Sequence, residues 1–222
     1  MNIIKEKGIQ KRFEKSPSYF ASVRSDLFSM IPSTCSKILD VGCGAGEFWK
    51  NFKGETVGIE LDTTAAALAL KNMNEVHTGD IEVIQANLKQ SYFDCVIFAD
   101  VLEHLYDPWG TLLKYSSFMH DGGHLLISVP NIQNYRVLRS LVFKGEFGYE
   151  ESGILDIDHI RFFTRKELLT LIQSTGFEVV AMKRNFMASA KYLFLNRIFF
   201  GLFDDFLTGQ YYFLAKKSET KY

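Results

Sequence analysis

The sequence predicts an α/β protein with a mostly parallel sheet and helices on both faces. Two observations carry this. Short apolar runs alternate along the chain with helical patterns, as expected when each parallel strand is followed by a crossover helix. The first run, Lys37-Ile-Leu-Asp-Val-Gly-Cys-Gly-Ala-Gly-Glu47, breaks after Asp40 into glycines at 42, 44 and 46. Such a break is the sharp turn that open α/β sheets place beside a ligand, because glycine accepts φ > 0 and lets backbone N–H groups approach closely.

Taken in order, a helical cap is expected at about 10–32, ahead of the first strand. Strands follow near 37–41, 55–60, 75–79, 93–99 and 123–129. Asp62 is placed to cap a helix that begins Thr63-Thr-Ala-Ala-Ala, rich in helix formers. Asp107-Pro108 starts a second helix, with proline where its missing N–H costs nothing. Thr164-Arg-Lys-Glu167 reads as a capping box that leads into Leu168, Leu169, Leu171 and Ile172, and Gly176 stops that helix. Asp121-Gly-Gly123 reads as a tight turn before the fifth strand. Residues 177–182 and 210–215 read as two further strands. The stretch 131–160 fits neither strand nor regular helix, and an excursion of that length after a sheet strand is expected to be a substrate lid.

With 222 residues and 47% apolar composition, the chain can bury one sizeable core, and a single domain over 1–222 is expected. The 25 basic and 26 acidic residues leave a formal charge of −1, which gives no electrostatic reason to expect nucleic acid as a partner. Three widely spaced cysteines, Cys35, Cys43 and Cys95, are expected as reduced thiols in a cytoplasmic protein. No apolar h-region opens the sequence and no uninterrupted apolar run reaches about eighteen residues, so neither secretion nor stable membrane insertion is expected.

The glycine turn points to a nucleotide-type cofactor, and Glu60, at the end of the run Thr56-Val-Gly-Ile-Glu60, supplies a carboxylate for ribose hydroxyls. A dinucleotide fingerprint would carry glycine or alanine where Glu47 stands, which leaves an NAD-dependent oxidoreductase as the weaker alternative. The segment Leu39-Asp-Val-Gly-Cys-Gly-Ala-Gly46 instead resembles the first motif of the class I S-adenosylmethionine (SAM) dependent methyltransferases. The likeness extends to Gly79-Asp80-Ile81, to Phe93-Asp-Cys-Val-Ile-Phe-Ala-Asp100 with Val101-Leu-Glu-His104, to Ser128-Val-Pro-Asn131, to Asp158-His-Ile-Arg-Phe-Phe-Thr164 and to Gly176-Phe-Glu-Val-Val180. In all it covers roughly 16–182. The resemblance implies a Rossmann-like, seven-stranded sheet whose last strand is antiparallel. It also implies SAM as cofactor, S-adenosylhomocysteine as product and a small-molecule acceptor. By the same resemblance Asp40, Gly42, Cys43, Gly44 and Gly46 would border the methionine part, and Glu60 and Leu61 the ribose. Asp80 and Ile81 would hold the adenine, and Ala99, Asp100 and Val101 would close the site. Tyr19, Phe20 and Arg24 resemble the N-terminal helix that folds over the cofactor, where an aromatic face would attract the sulfonium; the two aromatic residues could equally be core.

His104, just past the fourth strand, is the candidate general base if the acceptor is a hydroxyl of a sugar or quinone-like metabolite. A backbone-bonded histidine that fixes its loop is the competing reading. A divalent metal is not expected, yet Asp100, Glu103 and His104 form an alternative ligand set. It is comparable to the Glu-x-x-Glu-His pattern of ubiquinone-biosynthesis O-methyltransferases, with the shorter Asp100 as the departure. His159 and Arg161 either reach the acceptor or staple the lid, and stapling is expected. No Asn-Pro-Pro-Tyr or Asp-Pro-Pro-Tyr motif follows the fourth strand, which disfavours amino-methylation of nucleobases or glutamine. A non-catalytic protein that binds SAM or S-adenosylhomocysteine is the alternative from another class. Last, Tyr192-Leu-Phe-Leu-Asn-Arg-Ile-Phe-Phe-Gly-Leu-Phe203 is unusually apolar. Core packing is the expectation, against a homodimer or substrate-mouth surface and an interfacial helix, because Asp204, Asp205 and few lysines disfavour anionic lipid.

Overall fold

The computed structural model describes residues 25–218. Seven strands form one sheet: β1 (Lys37–Val41), β2 (Glu55–Glu60), β3 (Glu75–Thr78), β4 (Phe93–Ala99), β5 (Met119–Pro130), β6 (Phe177–Phe186) and β7 (Thr208–Lys217). Their order is β3-β2-β1-β4-β5-β7-β6. The pairs from β3 through β5 are parallel, and β7 runs antiparallel to both β5 and β6. Chain order reverses between β1 and β4, so the loops leaving these two strands diverge and open a crevice at the carboxyl edge of the sheet.

The residues that form β4 explain why it is central. Phe93-Asp-Cys-Val-Ile-Phe-Ala99 is almost wholly buried, as a strand with helices on both faces must be. Alternate side chains feed two cores: Phe93, Val96 and Phe98 pack on one face with α3 (Pro108–Ser116) and α5 (Arg165–Ser174), while Cys95, Ile97 and Ala99 pack on the other with Leu27, Trp49 and Met73. On that second face lie α1 (Ser25–Phe28) and α2 (Thr63–Ala69). The expected caps are present. Asp62 accepts from Ala65 N–H at 2.7 Å, Asp107 from Gly110 N–H at 2.9 Å and Thr164 Oγ1 from Glu167 N–H at 3.3 Å. Gly176 follows α5 in the left-handed region, with φ +85.

Three expectations need correction. Residues 135–144 form a regular helix, α4 (Tyr135–Lys144), capped by Asn134 Oδ1 accepting from Arg136 N–H and closed by left-handed Gly145. Its apolar face is largely exposed. Asp121-Gly-Gly123 is not a separate turn before the strand but lies within β5, where Gly122 (φ +78) absorbs a shift in register against β4. Finally, the aromatic stretch is not core: α6 (Ala190–Ile198) buries only Asn196, and Phe200 is 100% exposed. A short α7 (Asp204–Leu207) then leads into β7.

One carboxylate ties the start of β1 to β4. Asp94 Oδ2 accepts from Ser36 N–H (2.7 Å), Lys37 N–H (2.9 Å) and Ser36 Oγ–H (3.1 Å). Burial pushes its pKa up, but the bonds from Ser36 and Lys37 and the charge of His120 outweigh burial, so the pKa lies below the ordinary value. A depressed carboxylate stabilises the fold above its unfolded pKa and loses that contribution as pH falls through the folded one. Asp94→Asn should therefore lower the unfolding free energy by about 1 kcal/mol at neutral pH. Denaturant titrations of protein and variant should converge as pH falls below about 4.

Candidate functional site

A cavity of about 760 Å³ occupies the crevice at the carboxyl ends of β1, β2 and β4. The glycine turn makes its floor. Gly42, Gly44 and Gly46 all adopt left-handed backbone, with φ of 79°, 57° and 65°. A Cβ on Gly42 would lie 2.5 Å from Val101 Cγ2, so the turn and the loop after β4 touch only because that residue is glycine. Gly46 departs from its expected cofactor role. It is buried against the backbone of Ala69, where it lets α2 approach, and it does not line the cavity.

Glu60 organises the turn from the end of β2. Its Oε2 accepts from Gly44 N–H at 2.8 Å and its Oε1 from Asp62 N–H at 2.9 Å. Burial raises its pKa, opposed by these backbone bonds. Each carboxylate oxygen has a second acceptor position, so both can still take a hydroxyl from the cavity. Asp40, though it lines the cavity, accepts from the Trp49 indole N–H at 2.7 Å through Oδ2. Trp49 lies in a short 3₁₀ turn, Glu47–Asn51. The Cys43 thiol is pushed well up by burial and by the Asp40 and Glu60 carboxylates, so it stays protonated and unreactive. Leu61 is exposed at the rim.

The far wall comes from two loops locked together. Asp80 and Ile81 line the cavity. Ile81 O accepts from Lys114 Nζ at 3.0 Å and from Tyr115 Oη at 3.1 Å, which anchors the loop to α3. The Glu82 carboxylate then accepts from Tyr106 and Asp107 N–H, so the loops after β3 and β4 move as one piece. Glu82 was missed because a single glutamate after Asp80-Ile81 carries no motif.

After β4, Ala99, Asp100 and Val101 border the cavity. Asp100 is left-handed (φ 55), and Ser128 holds it twice, accepting from its N–H at 3.0 Å and donating to its Oδ1 at 2.6 Å. Gln210 Nε2 donates to the same oxygen from the start of β7. The 3₁₀ turn Leu102–His104 follows. His104 lines the cavity, and its Nδ1 lies 3.1 Å from Asp158 O. His159 meets it edge on, with ring centroids 4.8 Å apart, and places Nε2 3.9 Å from Glu103 Oε1. Glu103, His104 and His159 thus converge within 4.8 Å, whereas Asp100 is turned to Ser128 and Gln210. The alternative ligand set named from sequence is therefore not the one brought together. Glu103 O accepts from Ile160 and Arg161 N–H, and the Arg161 guanidinium donates to Tyr106 O, so these residues staple the end of the excursion to the sheet as expected.

Tyr19, Phe20 and Arg24 lie outside the described residues. Phe28 and Phe48 stand at the cavity wall with their rings stacked 3.4 Å apart. Neither was singled out from sequence, because single phenylalanines beside Leu27 and Trp49 read as core.

Over residues 11–182 the sequence matches a protein family described as a methyltransferase domain. It is 28% identical over 160 residues to the ubiquinone biosynthesis O-methyltransferase of Aliivibrio fischeri, covering 64% of each chain. It is 29% identical over 147 residues to the protein of that name from Vibrio atlanticus, covering 63% of this chain and 62% of that one. The chain thus spans less than two thirds of these relatives' length. In structure it is similar to a SAM-dependent methyltransferase from Archaeoglobus fulgidus (TM-score 0.63, 22% identity, 94% of this chain and 98% of that one). It is also similar to a Thermotoga maritima protein described as a possible histamine N-methyltransferase (TM-score 0.63, 17% identity, 98% and 95%). At these identities the structural likeness speaks for the fold, which agrees with the sheet order, the glycine turn and the carboxylate of Glu60. The chain belongs to the class I SAM-dependent methyltransferase family.

Proposed function

We propose that the protein transfers the methyl group of SAM to a hydroxyl oxygen of a small molecule, with His104 as the base. The observation that carries the oxygen assignment is the orientation of His104. Its Nδ1 faces a carbonyl oxygen, which only accepts, so the ring's hydrogen sits on Nδ1 and Nε2 is the nitrogen that can receive a proton. The relatives named ubiquinone biosynthesis O-methyltransferase support the same atom.

The residues present fit the cofactor. The cavity has the size of a small-molecule site. Among the residues that line the cavity, Glu60 would accept from two ribose hydroxyls, Asp80 and Ile81 would hold the adenine, and the backbone of Gly42 and Gly44 would border the amino-acid end. Phe28 and Phe48 offer a sulfonium an aromatic wall, worth about 0.5–2 kcal/mol. When bound, SAM supplies a methyl carbon activated by positive sulfur. What the chain adds is alignment and dryness: the joined loops after β3 and β4 fix the cavity walls, to which the end of the excursion adds Asp158 and Ile160. His104 Nε2 would take the hydroxyl proton as the methyl carbon passes from sulfur to oxygen and S-adenosylhomocysteine leaves, and His159, packed edge on, limits rotation of the ring. Three free thiols, at Cys35, Cys43 and Cys95, support a cytoplasmic setting.

Titration calorimetry with SAM and S-adenosylhomocysteine tests the cofactor half. Glu60→Ala should weaken both by about 3–6 kcal/mol, two hydrogen bonds to a charged group at about 1.5–3 kcal/mol each; unchanged affinity would remove the assignment. Gly42→Ala should abolish detectable binding, because it forces a side chain into left-handed backbone and against Val101. For the acceptor half, turnover is measured on a panel of phenolic and sugar hydroxyls. His104→Ala should lower kcat by roughly 10²–10⁴ at constant SAM affinity and abolish the acid limb of the pH profile. Full activity on an amine and none on any hydroxyl would overturn the oxygen assignment.

A further inference from the structure

Helices α4 and α6, with the turn leading to α7, form a surface that methyl transfer does not use. Its large apolar side chains face solvent: Phe143 is 82% exposed, Phe194 66% and Phe200 100%. An apolar groove of about 460 Å³ runs between them, walled by Leu138, Val142, Phe143, Tyr192, Phe203 and Phe206. The exposure is built into the turn. Buried Asn196 accepts from Gly201 N–H through its backbone carbonyl and from Phe203 N–H through Oδ1, and donates to Asp204 Oδ1. This network holds Phe200 in left-handed backbone (φ 52) with its ring projecting outward.

Charge is segregated to the same place. The two helices, of 10 and 9 residues, carry Arg136, Arg139, Lys144, Lys191 and Arg197, all exposed, and no acidic residue, although the chain as a whole is slightly negative. The neighbouring acids are engaged. Asp205 is held by Arg165 at 3.0 Å, Asp204 by Asn196 and, at 3.8 Å, by Arg184, while Glu146 faces Lys144 at 3.5 Å. The two aspartates that seemed from sequence to repel anionic lipid are thus paired within the protein.

We propose that this face docks the protein on the surface of an anionic lipid bilayer. Phe194, Phe199 and Phe200 enter the boundary between headgroups and acyl chains, and Arg136, Arg139, Lys191 and Arg197 meet lipid phosphates. Charge selects this occupant over two others. A second copy related by a two-fold axis would set the same cations against one another. Residues 1–24, with six basic and two acidic side chains, would do the same. Attachment is peripheral, since no described helix is long and apolar enough to cross a membrane. The face lies where β5 ends and antiparallel β7 begins, the same sheet edge as the cavity.

Co-sedimentation of the full chain with vesicles tests this, using phosphatidylcholine alone and an equimolar mixture with phosphatidylglycerol. The protein should pellet with the mixture only and be released by high salt. Phe199→Asp with Phe200→Asp, and separately Arg139→Glu with Arg197→Glu, should each reduce the bound fraction at least about tenfold while leaving the unfolding midpoint unchanged. Failure to pellet with the mixture, or equal binding to neutral vesicles that survives the charge reversals, would overturn the proposal. So would a dimer seen by light scattering that the same substitutions dissociate, which would make the face a contact between copies. None of these readings depends on methyl transfer.

Discussion

Much of the site hangs on one carboxylate at the end of β2. Glu60 accepts a hydrogen bond from Gly44 on one side and from Asp62 on the other, and so connects the glycine turn to the cap of α2. The bond to Gly44 crosses from β2 to the loop after β1, so the turn is held by a neighbouring strand as well as by its own dihedral angles. A carboxylate in this position carries two duties at once: it shapes an otherwise flexible backbone and keeps acceptor capacity toward the cavity. That dual role explains why a negative charge is retained in a place where burial pushes its pKa up.

The rest of the site repeats the device of one element holding another's loop. Lys114 and Tyr115 hold the loop after β3, Glu82 holds the loop after β4, and Ser128 and Gln210 hold Asp100. In each case a backbone group or carboxylate near the cavity is met by a side chain from a different element or loop. Rigid walls suit a displacement in which alignment and exclusion of water supply much of the advantage.

Local chemistry was the legible part of the sequence. Strand periods, the caps at Asp62, Asp107 and Thr164, and the glycine turn are each written within a few neighbouring residues, and the structure places the strands within four residues of their expected limits. Asp40 and Glu60 were legible as site residues, yet their partners were not, because Trp49 and Gly44 are selected by three-dimensional approach and leave no spacing signal. The same holds for His159, which joins Glu103 and His104 only after the excursion folds back. The helix α4 was missed although Asn134 and Gly145, the signals that could have found it, mark both its ends. The aromatic stretch 192–203 was misplaced for a related reason. Composition alone says that such residues avoid water and does not say what they meet instead.

The antiparallel β7 has a consequence for how the chain is made. It lies between β5 and β6, so β6 has no sheet partner and β5 has only β4 until residues 208–217 have been synthesised. During translation β5 would be a hydrophobic, unpaired edge for the time taken to add the residues after it, and the family match itself ends at residue 182, well before that edge is covered. The recognisable part of the sequence is therefore shorter than the unit that can close its sheet. Gln210, arriving with β7, reaches Asp100 only then, so the loop after β4 acquires its last support as the sheet closes.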